Sequence, residues 1–192
     1  MKKIILALAL TVGLHAGSTI SDKQLQRFID GNYECLTVDT SKQKLTYYRS
    51  QEKIHEYAIS SGKEGIGQHS GSYKTPLGLH CIKKKTGASS KIRSIFKRGI
   101  NTGRIYTPGQ PTCEDLILTR VIYLEGLEKG FNNGRDKKGK LVDSYSRGIL
   151  IHGTNQESKI GSPASKGCIR MRNKDIINFY NNINEGTIIW IF

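Results

Sequence analysis

Apolar residues along this chain recur mostly in short alternating runs broken by turn residues, a pattern of strands and not of a helical bundle. Three such runs come first, Tyr33 to Asp39, Lys44 to Arg49 and Ile54 to Ser60, rich in Tyr, Thr, Val and Ile, with Thr40 to Gln43 as the first turn. They predict an antiparallel meander. Thr75-Pro76-Leu77-Gly78 signals a tight turn leading into a strand at Leu79 to Ile82. Further strands are predicted over Ile117 to Leu124, Arg147 to His152 and Thr187 to Phe192. Helical spacing occurs twice. Ser21 is placed to cap a short amphipathic helix carrying Leu25, Phe28 and Ile29, stopped by Gly31 and expected to pack as a flap. Asn173 is expected to cap a second helix with Ile176, Phe179, Tyr180 and Ile183 on one face, ended by Gly186. The predicted class is mainly β with two or three helices at the edges.

Between these elements lie two glycine-rich or charged stretches. Gly87 to Cys113 shows no period and is predicted to be an irregular loop bordering a cleft, and Gly126 to Gly139 is a second loop. Lys2 and Lys3, the uncharged run from Ile4 to Leu14 and the small residues Ala16-Gly17-Ser18 form an export-signal pattern, with cleavage expected after Ala16. The run is shorter than the about 20 residues a spanning helix needs. Residues 17–192 are then expected to form a single domain.

The compartment changes how the charge is read. Thirty Lys and Arg face sixteen Asp and Glu, a net +14 that falls to +12 without Lys2 and Lys3. Eight of these cations lie between Lys83 and Arg104 with no acidic residue among them. Such a field attracts polyanions. An exported protein seldom meets nucleic acid, and stacking aromatics are sparse, with Phe96 inside the stretch and Tyr106 just after it. An anionic wall polymer or lipid surface fits better, and a solvated loop without a partner is the plain alternative.

The chemistry concentrates in Ile151-His152-Gly153-Thr154 and Ser165-Lys166-Gly167-Cys168-Ile169-Arg170-Met171. A thiol is a poor nucleophile at pH 7 until a base takes its proton, and His152, at the end of an apolar strand sixteen positions before Cys168, is placed to act as that base. Gly167 lets backbone N–H groups of Gly167 and Cys168 approach a reacting carbonyl. Four cysteines in an exported chain also fit two disulfides. With Cys168 reduced, at most one pair forms among Cys35, Cys81 and Cys113; Cys81 with Cys113 is the favoured choice, but spacing does not decide it. His55, His69 and His80 lack catalytic context, and no Cys or His spacing suits a tetrahedral metal. No phosphate-binding glycine loop is present, so no cofactor is expected.

The His-Gly-Thr and Ser-x-Gly-Cys-Ile-Arg-Met segments, with Ile160-Gly161-Ser162-Pro163 between them, resemble the YkuD-type L,D-transpeptidase domain of bacterial cell-wall enzymes. The likeness extends to Lys74 to Gly78, Glu114 to Arg120, Leu124 to Glu128 and the final helix and strand, most of the chain. It implies an antiparallel or mixed β-sandwich with peripheral helices, acting in the periplasm or elsewhere outside the cell on peptidoglycan stem peptides, as a monomer without cofactor or metal. The resemblance makes Cys168 the nucleophile, His152 the general base and Gly153 the residue whose carbonyl orients the imidazole. It gives Gly167 and Cys168 as oxyanion donors and Ser165, Lys166 and Arg170 as substrate contacts. Arg170 would hold a carboxylate, or else make a surface salt bridge. The implied reaction attacks the bond between a diamino acid and the terminal D-alanine, forms a thioester and passes it to an amine; carbapenems would trap the same thiol. L,D-carboxypeptidase activity, lipoprotein attachment and a non-catalytic wall-binding module are the alternatives. Many relatives have histidine where this chain has Lys166, whose cation is expected to favour the Cys168 thiolate.

Overall fold

The computed structural model describes residues 21–192 except Pro111 and Cys113, so the export signal falls outside the described residues. Helix α1, Asp22–Asp30, starts at a Ser21–Gln24 capping box and ends at Gly31, as its sequence signals. Phe28 sets its ring against Trp190, with centroids 5.3 Å apart and planes inclined at 62°, which docks the helix on the last strand.

Ten strands follow: β1 Glu34–Asp39, β2 Lys44–Arg49, β3 Glu52–Ala58, β4 Gly78–Thr86, β5 Ser94–Lys97, β6 Ile100–Ile105, β7 Ile117–Gly126, β8 Leu150–Gly153, β9 Ile169–Met171 and β10 Ile188–Ile191. Helix α2, Asn173–Asn182, lies between the last two. All ten strands join one mixed hydrogen-bonded sheet in the order β3-β2-β1-β10-β4-β7-β5-β6, with β8 and β9 attached to the other edge of β7. The predicted meander is β1 to β3, antiparallel throughout. The chain's end closes the sheet, with β10 parallel to β1 and antiparallel to β4.

Strand β7 organises the site. Along one edge it pairs with β4 through residues 121–126 and with β5 through Ile117 and Leu118; along the other it pairs with β8. The register on the β8 side shifts between Leu118 and Val121, where Thr119 adopts φ +72°. Strand β8 then pairs in parallel with β9 after a long crossover, the connection that parallel neighbours require. Ile176, Phe179 and Tyr180 of α2 and the following Ile183 bury against Leu36, Val38, Leu45, Ile122, Leu124, Ile151, Ile169, Ile189 and Ile191. Each such side chain contributes about 1.5–3 kcal/mol by leaving water.

Three local expectations are corrected. The segment Gly87 to Cys113 is not an irregular loop, because β5 and β6 form a hairpin within it. The strand ending at His152 begins at Leu150, since Arg147 and Gly148 belong to a turn in which each amide bonds back to a preceding carbonyl. Asn173 is the first residue of α2 and not its cap; its N–H is held by Glu157 Oε1 at 2.7 Å.

Candidate active site

Parallel pairing sets His152 beside Arg170 and Ile151 beside Ile169. Because side chains alternate along strands, Leu150, His152, Cys168 and Arg170 share one face. The sixteen-residue spacing is thus a crossover that returns the thiol to the imidazole's side of the sheet. His152 is buried, and its Nδ1 lies 2.7 Å from the Gly153 carbonyl oxygen. That oxygen only accepts, so Nδ1 carries the proton and Nε2 is left as the acceptor. This is the orientation inferred for Gly153. A Cβ on Gly153 would stand 2.5 Å from Asn173 Oδ1 and 2.8 Å from the Leu118 carbonyl, so no larger residue fits.

Cys168 is half-buried and packs against a cluster formed by Phe96, Val121 and Leu150 with Ile117 and Tyr123 at its margin. Its thiol donates to the Gly148 carbonyl at 3.5 Å. Burial pushes this thiol up to about 11; the Leu150 N–H aimed at sulfur and the Arg170 and Arg147 cations pull the other way, while Asp115 adds to the rise. Burial also lowers His152 below its usual value, against the Gly153 hydrogen bond and Asp115, which raise it. Both shifts favour a neutral thiol beside a neutral imidazole over a standing ion pair.

Ser165 is 2% exposed and braces the turn before the thiol. Its Oγ donates to the Cys168 carbonyl at 2.5 Å and accepts the Gly167 N–H at 3.0 Å. It therefore acts as a support within the protein, and the Gly167 N–H is engaged where an oxyanion donor was expected. Of that pair, Cys168 N–H is left. Gly167 itself has φ +109°, and a Cβ there would meet the Lys74 carbonyl at 2.9 Å. Thr75 Oγ1 donates to the Gly167 carbonyl at 3.1 Å and accepts the Gly62 N–H at 2.8 Å, tying the 62–75 segment to the cysteine turn.

Arg170 is not the surface ion pair that was the plain alternative for it. It is 2% exposed, ion-paired to Asp115 and 3.1 Å from Gln156 Oε1. Lys166 is exposed, and the cations that act on the Cys168 thiol are Arg170 and Arg147. Arg147 was not anticipated. Its guanidinium binds the carbonyls of Gln68 and Lys74, each at 2.7 Å, and so fixes the loop that abuts Gly167. Asp115 and Asn173 were also missed as site residues. Asn173 spans the crossover, donating to the Thr154 carbonyl at 2.8 Å and accepting from Thr119 Oγ1. Both left a trace in the sequence, Asp115 inside the Glu114 to Arg120 segment that carried the family likeness and Asn173 at the start of the final helix.

The remaining candidates fall outside this cluster. His80 is wholly buried between the Gly78 carbonyl and Ser144 Oγ, and burial brings it down to about 4. His69 pairs with Asp136 at 2.9 Å beside a cavity of about 370 Å³, none of whose walls is Cys168 or His152. Among the described residues Cys35 and Cys81 carry free thiols; Cys113 lies outside them, and with it the expected pairing with Cys81. Among the described residues no group of His, Cys, Asp and Glu is arranged to hold a metal.

A profile of the YkuD family, described as the L,D-transpeptidase catalytic domain, matches residues 34–191. The probable L,D-transpeptidase YcfS of Escherichia coli strain K12 is 24% identical over 178 residues, which is 90% of this chain and 48% of that protein. This chain thus spans about half the length of that relative. Among solved structures, an L,D-transpeptidase from Xylanimonas cellulosilytica has a TM-score of 0.51 at 16% identity, covering 94% of this chain and 74% of that one. L,D-transpeptidase 3 from Mycobacterium tuberculosis, solved with a faropenem-derived adduct, has a TM-score of 0.51 at 14% identity, covering 83% and 60%. These structures share the fold. The profile match takes in most of the chain and all of the cysteine–histidine crossover, and the protein belongs to the YkuD family of L,D-transpeptidase catalytic domains.

Proposed function

We propose that the protein is a peptidoglycan L,D-transpeptidase working through a Cys168 acyl-enzyme. The observation that carries this reading is the Nδ1 hydrogen bond to Gly153, which frees His152 Nε2 on the face that bears the Cys168 sulfur. At rest both groups are neutral. When a donor stem peptide enters, Nε2 takes the thiol proton as sulfur bonds to the carbonyl carbon of the diamino acid. The Gly153 carbonyl holds the imidazolium's Nδ1–H, and Cys168 N–H lies nearest the developing oxyanion. The imidazolium then gives its Nε2 proton to the departing D-alanine amine, leaving a thioester. An acceptor amine attacks that thioester, loses a proton through Nε2, and releases the reprotonated thiol with a new cross-link.

This scheme needs no metal or organic cofactor. The reading places the enzyme outside the cytoplasm, in the periplasm or the wall, where the amino-terminal signal pattern would send it. No helix among the described residues is long and apolar enough to cross a membrane. Carbapenems, β-lactams like the faropenem from which the adduct on the mycobacterial structure derives, would acylate the same sulfur.

The test is incubation of the purified protein with purified tetrapeptide stems, followed by mass analysis of products. A cross-linked dimer with release of D-alanine, lost in Cys168→Ala, is the expected result. Shortened monomer alone makes the protein an L,D-carboxypeptidase. No product, with sacculus binding kept in Cys168→Ala, makes it a wall-binding module.

A further inference from the structure

Seven residues other than glycine take positive φ among the described residues, and Tyr73, at +57°, is the one aromatic among them. That region is uncommon for any side chain and a clear outlier for a bulky one. The other six have local reasons. Ser50 and Gln51 turn the β2–β3 hairpin and Arg98 the β5–β6 hairpin. Gln43 donates to Ser61 Oγ at 2.8 Å, and Arg93 and Thr119 are joined to each other, the Arg93 N–H donating to Thr119 Oγ1 at 2.9 Å. Tyr73 shows no such use of its side chain. It is 58% exposed, and its ring stacks on no other aromatic ring among the described residues.

Backbone contacts fix this residue beside the nucleophile. A Cβ on Gly167 would stand 3.5 Å from the Tyr73 carbonyl carbon and 2.9 Å from the Lys74 carbonyl oxygen, and one on Gly62 would stand 3.0 Å from the Tyr73 carbonyl oxygen. The peptide unit after Tyr73 is thus wedged between Gly62 and the residue that precedes Cys168. Its flanks are anchored as well. Ser72 Oγ donates to the His69 carbonyl at 2.7 Å and accepts the Lys74 N–H at 3.3 Å, while Arg147 holds the Lys74 carbonyl and Thr75 Oγ1 the Gly167 carbonyl. A strained backbone that is held this firmly and ends in an exposed ring is suited to a contact outside the protein.

We propose that Tyr73 is a specificity-determining contact, its ring covering the aliphatic arm of the diamino acid whose carbonyl Cys168 attacks. This rests on the transpeptidase reading. The residue under attack must come up to the sulfur, so its own side chain is the part of the donor stem that passes nearest the cysteine turn. An aromatic ring on a rigid loop covers methylenes without further ordering. The contact is the same before and during bond making, so it acts on KM and not on kcat.

Two donor tetrapeptides, one with lysine and one with alanine at the position under attack, test this on the wild type, Tyr73→Phe and Tyr73→Gly. In the wild type and Tyr73→Phe the KM is about tenfold lower for the lysine peptide, the equivalent of about two buried methylenes. In Tyr73→Gly the lysine peptide rises to the KM of the alanine peptide at unchanged kcat. The thermal midpoint of that variant holds or rises, because glycine takes positive φ without strain. Equal wild-type KM for the two peptides, or a preference for lysine kept in Tyr73→Gly, overturns the proposal. So does a lower thermal midpoint in Tyr73→Gly, which would make the ring a packing residue of its loop. Equilibrium binding of both peptides to Cys168→Ala, with and without Tyr73→Gly, reads the contact without turnover. A Tyr73-dependent preference in binding with no turnover by the wild type would sink the transpeptidase reading and leave the contact standing; turnover without the preference does the reverse.

Discussion

Two sides of the small cluster around Cys168 are built in opposite ways. On the β8–β9 side nearly every polar group is buried and committed: His152 to Gly153, Ser165 to both neighbours of the sulfur, Arg170 to Asp115 and Gln156. On the β5–β6 side one aromatic ring, Phe96, reaches into the cluster, and beyond it the hairpin exposes charge to solvent. The first side sets atomic positions through a backbone register that admits few substitutions. The second lends the cluster one wall, and substitutions along exposed β6 should change little. Chemistry belongs to the rigid side, so kcat and stability should respond there first.

The sharpest break in this contrast is His152→Gln. It removes the base while keeping a polar side chain, and acylation by a donor peptide should fall about 10³-fold, within the usual range for loss of a general base. Stopped-flow measurement of acyl-enzyme formation reads it, and thermal unfolding should hardly change. Next comes Arg170→Met. It leaves the Asp115 carboxylate without its partner, which costs about 3–5 kcal/mol in denaturant unfolding. Adding Asp115→Leu should return most of that loss; a double variant as unstable as the single would show that the pair is not the source. Gly153→Ala forces a methyl against Asn173 Oδ1 and the Leu118 carbonyl. It should cost about 1–3 kcal/mol and lower kcat as the imidazole-holding carbonyl shifts.

Smaller effects follow from protonation. His152 must be neutral to accept the thiol proton, and burial lowers its pKa from 6.5. The acid limb of kcat/KM should therefore have its midpoint below 6.5, with activity retained above it and lost as pH falls through it. A midpoint above 6.5 would mean a standing thiolate–imidazolium pair. The smallest effect belongs to Lys166→Ala, which should leave the titration midpoint of Cys168 alkylation unmoved, because the cations on that sulfur are Arg170 and Arg147.

How far these features were legible in the sequence depended on how local their causes are. Helix α1 was readable to its ends because Ser21, Gln24 and Gly31 act on their own neighbours. The thiol and the base were readable because a glycine before a cysteine and a histidine closing an apolar run each carry chemistry in a few residues. Hairpin β5–β6 was not, since β5 is a four-residue strand held by pairing with distant β7 and β6 is exposed at every position. Arg170 looked like a surface or substrate-binding residue; its burial depends on the parallel register with His152 and on Asp115, fifty-five positions away. The bracing bonds of Ser165 were not legible, because they exist only once Gly167 turns at positive φ.

The central claim, one unpaired sulfur made reactive by the imidazole on its face of the sheet, is tested most directly by intact-mass analysis after exposure to a carbapenem, with peptide mapping of the adduct. A single adduct on Cys168, absent in Cys168→Ala and much slower to form in His152→Gln, is the predicted result. An adduct on Cys35, Cys81 or Cys113 instead, or formation at the same rate without His152, would contradict it.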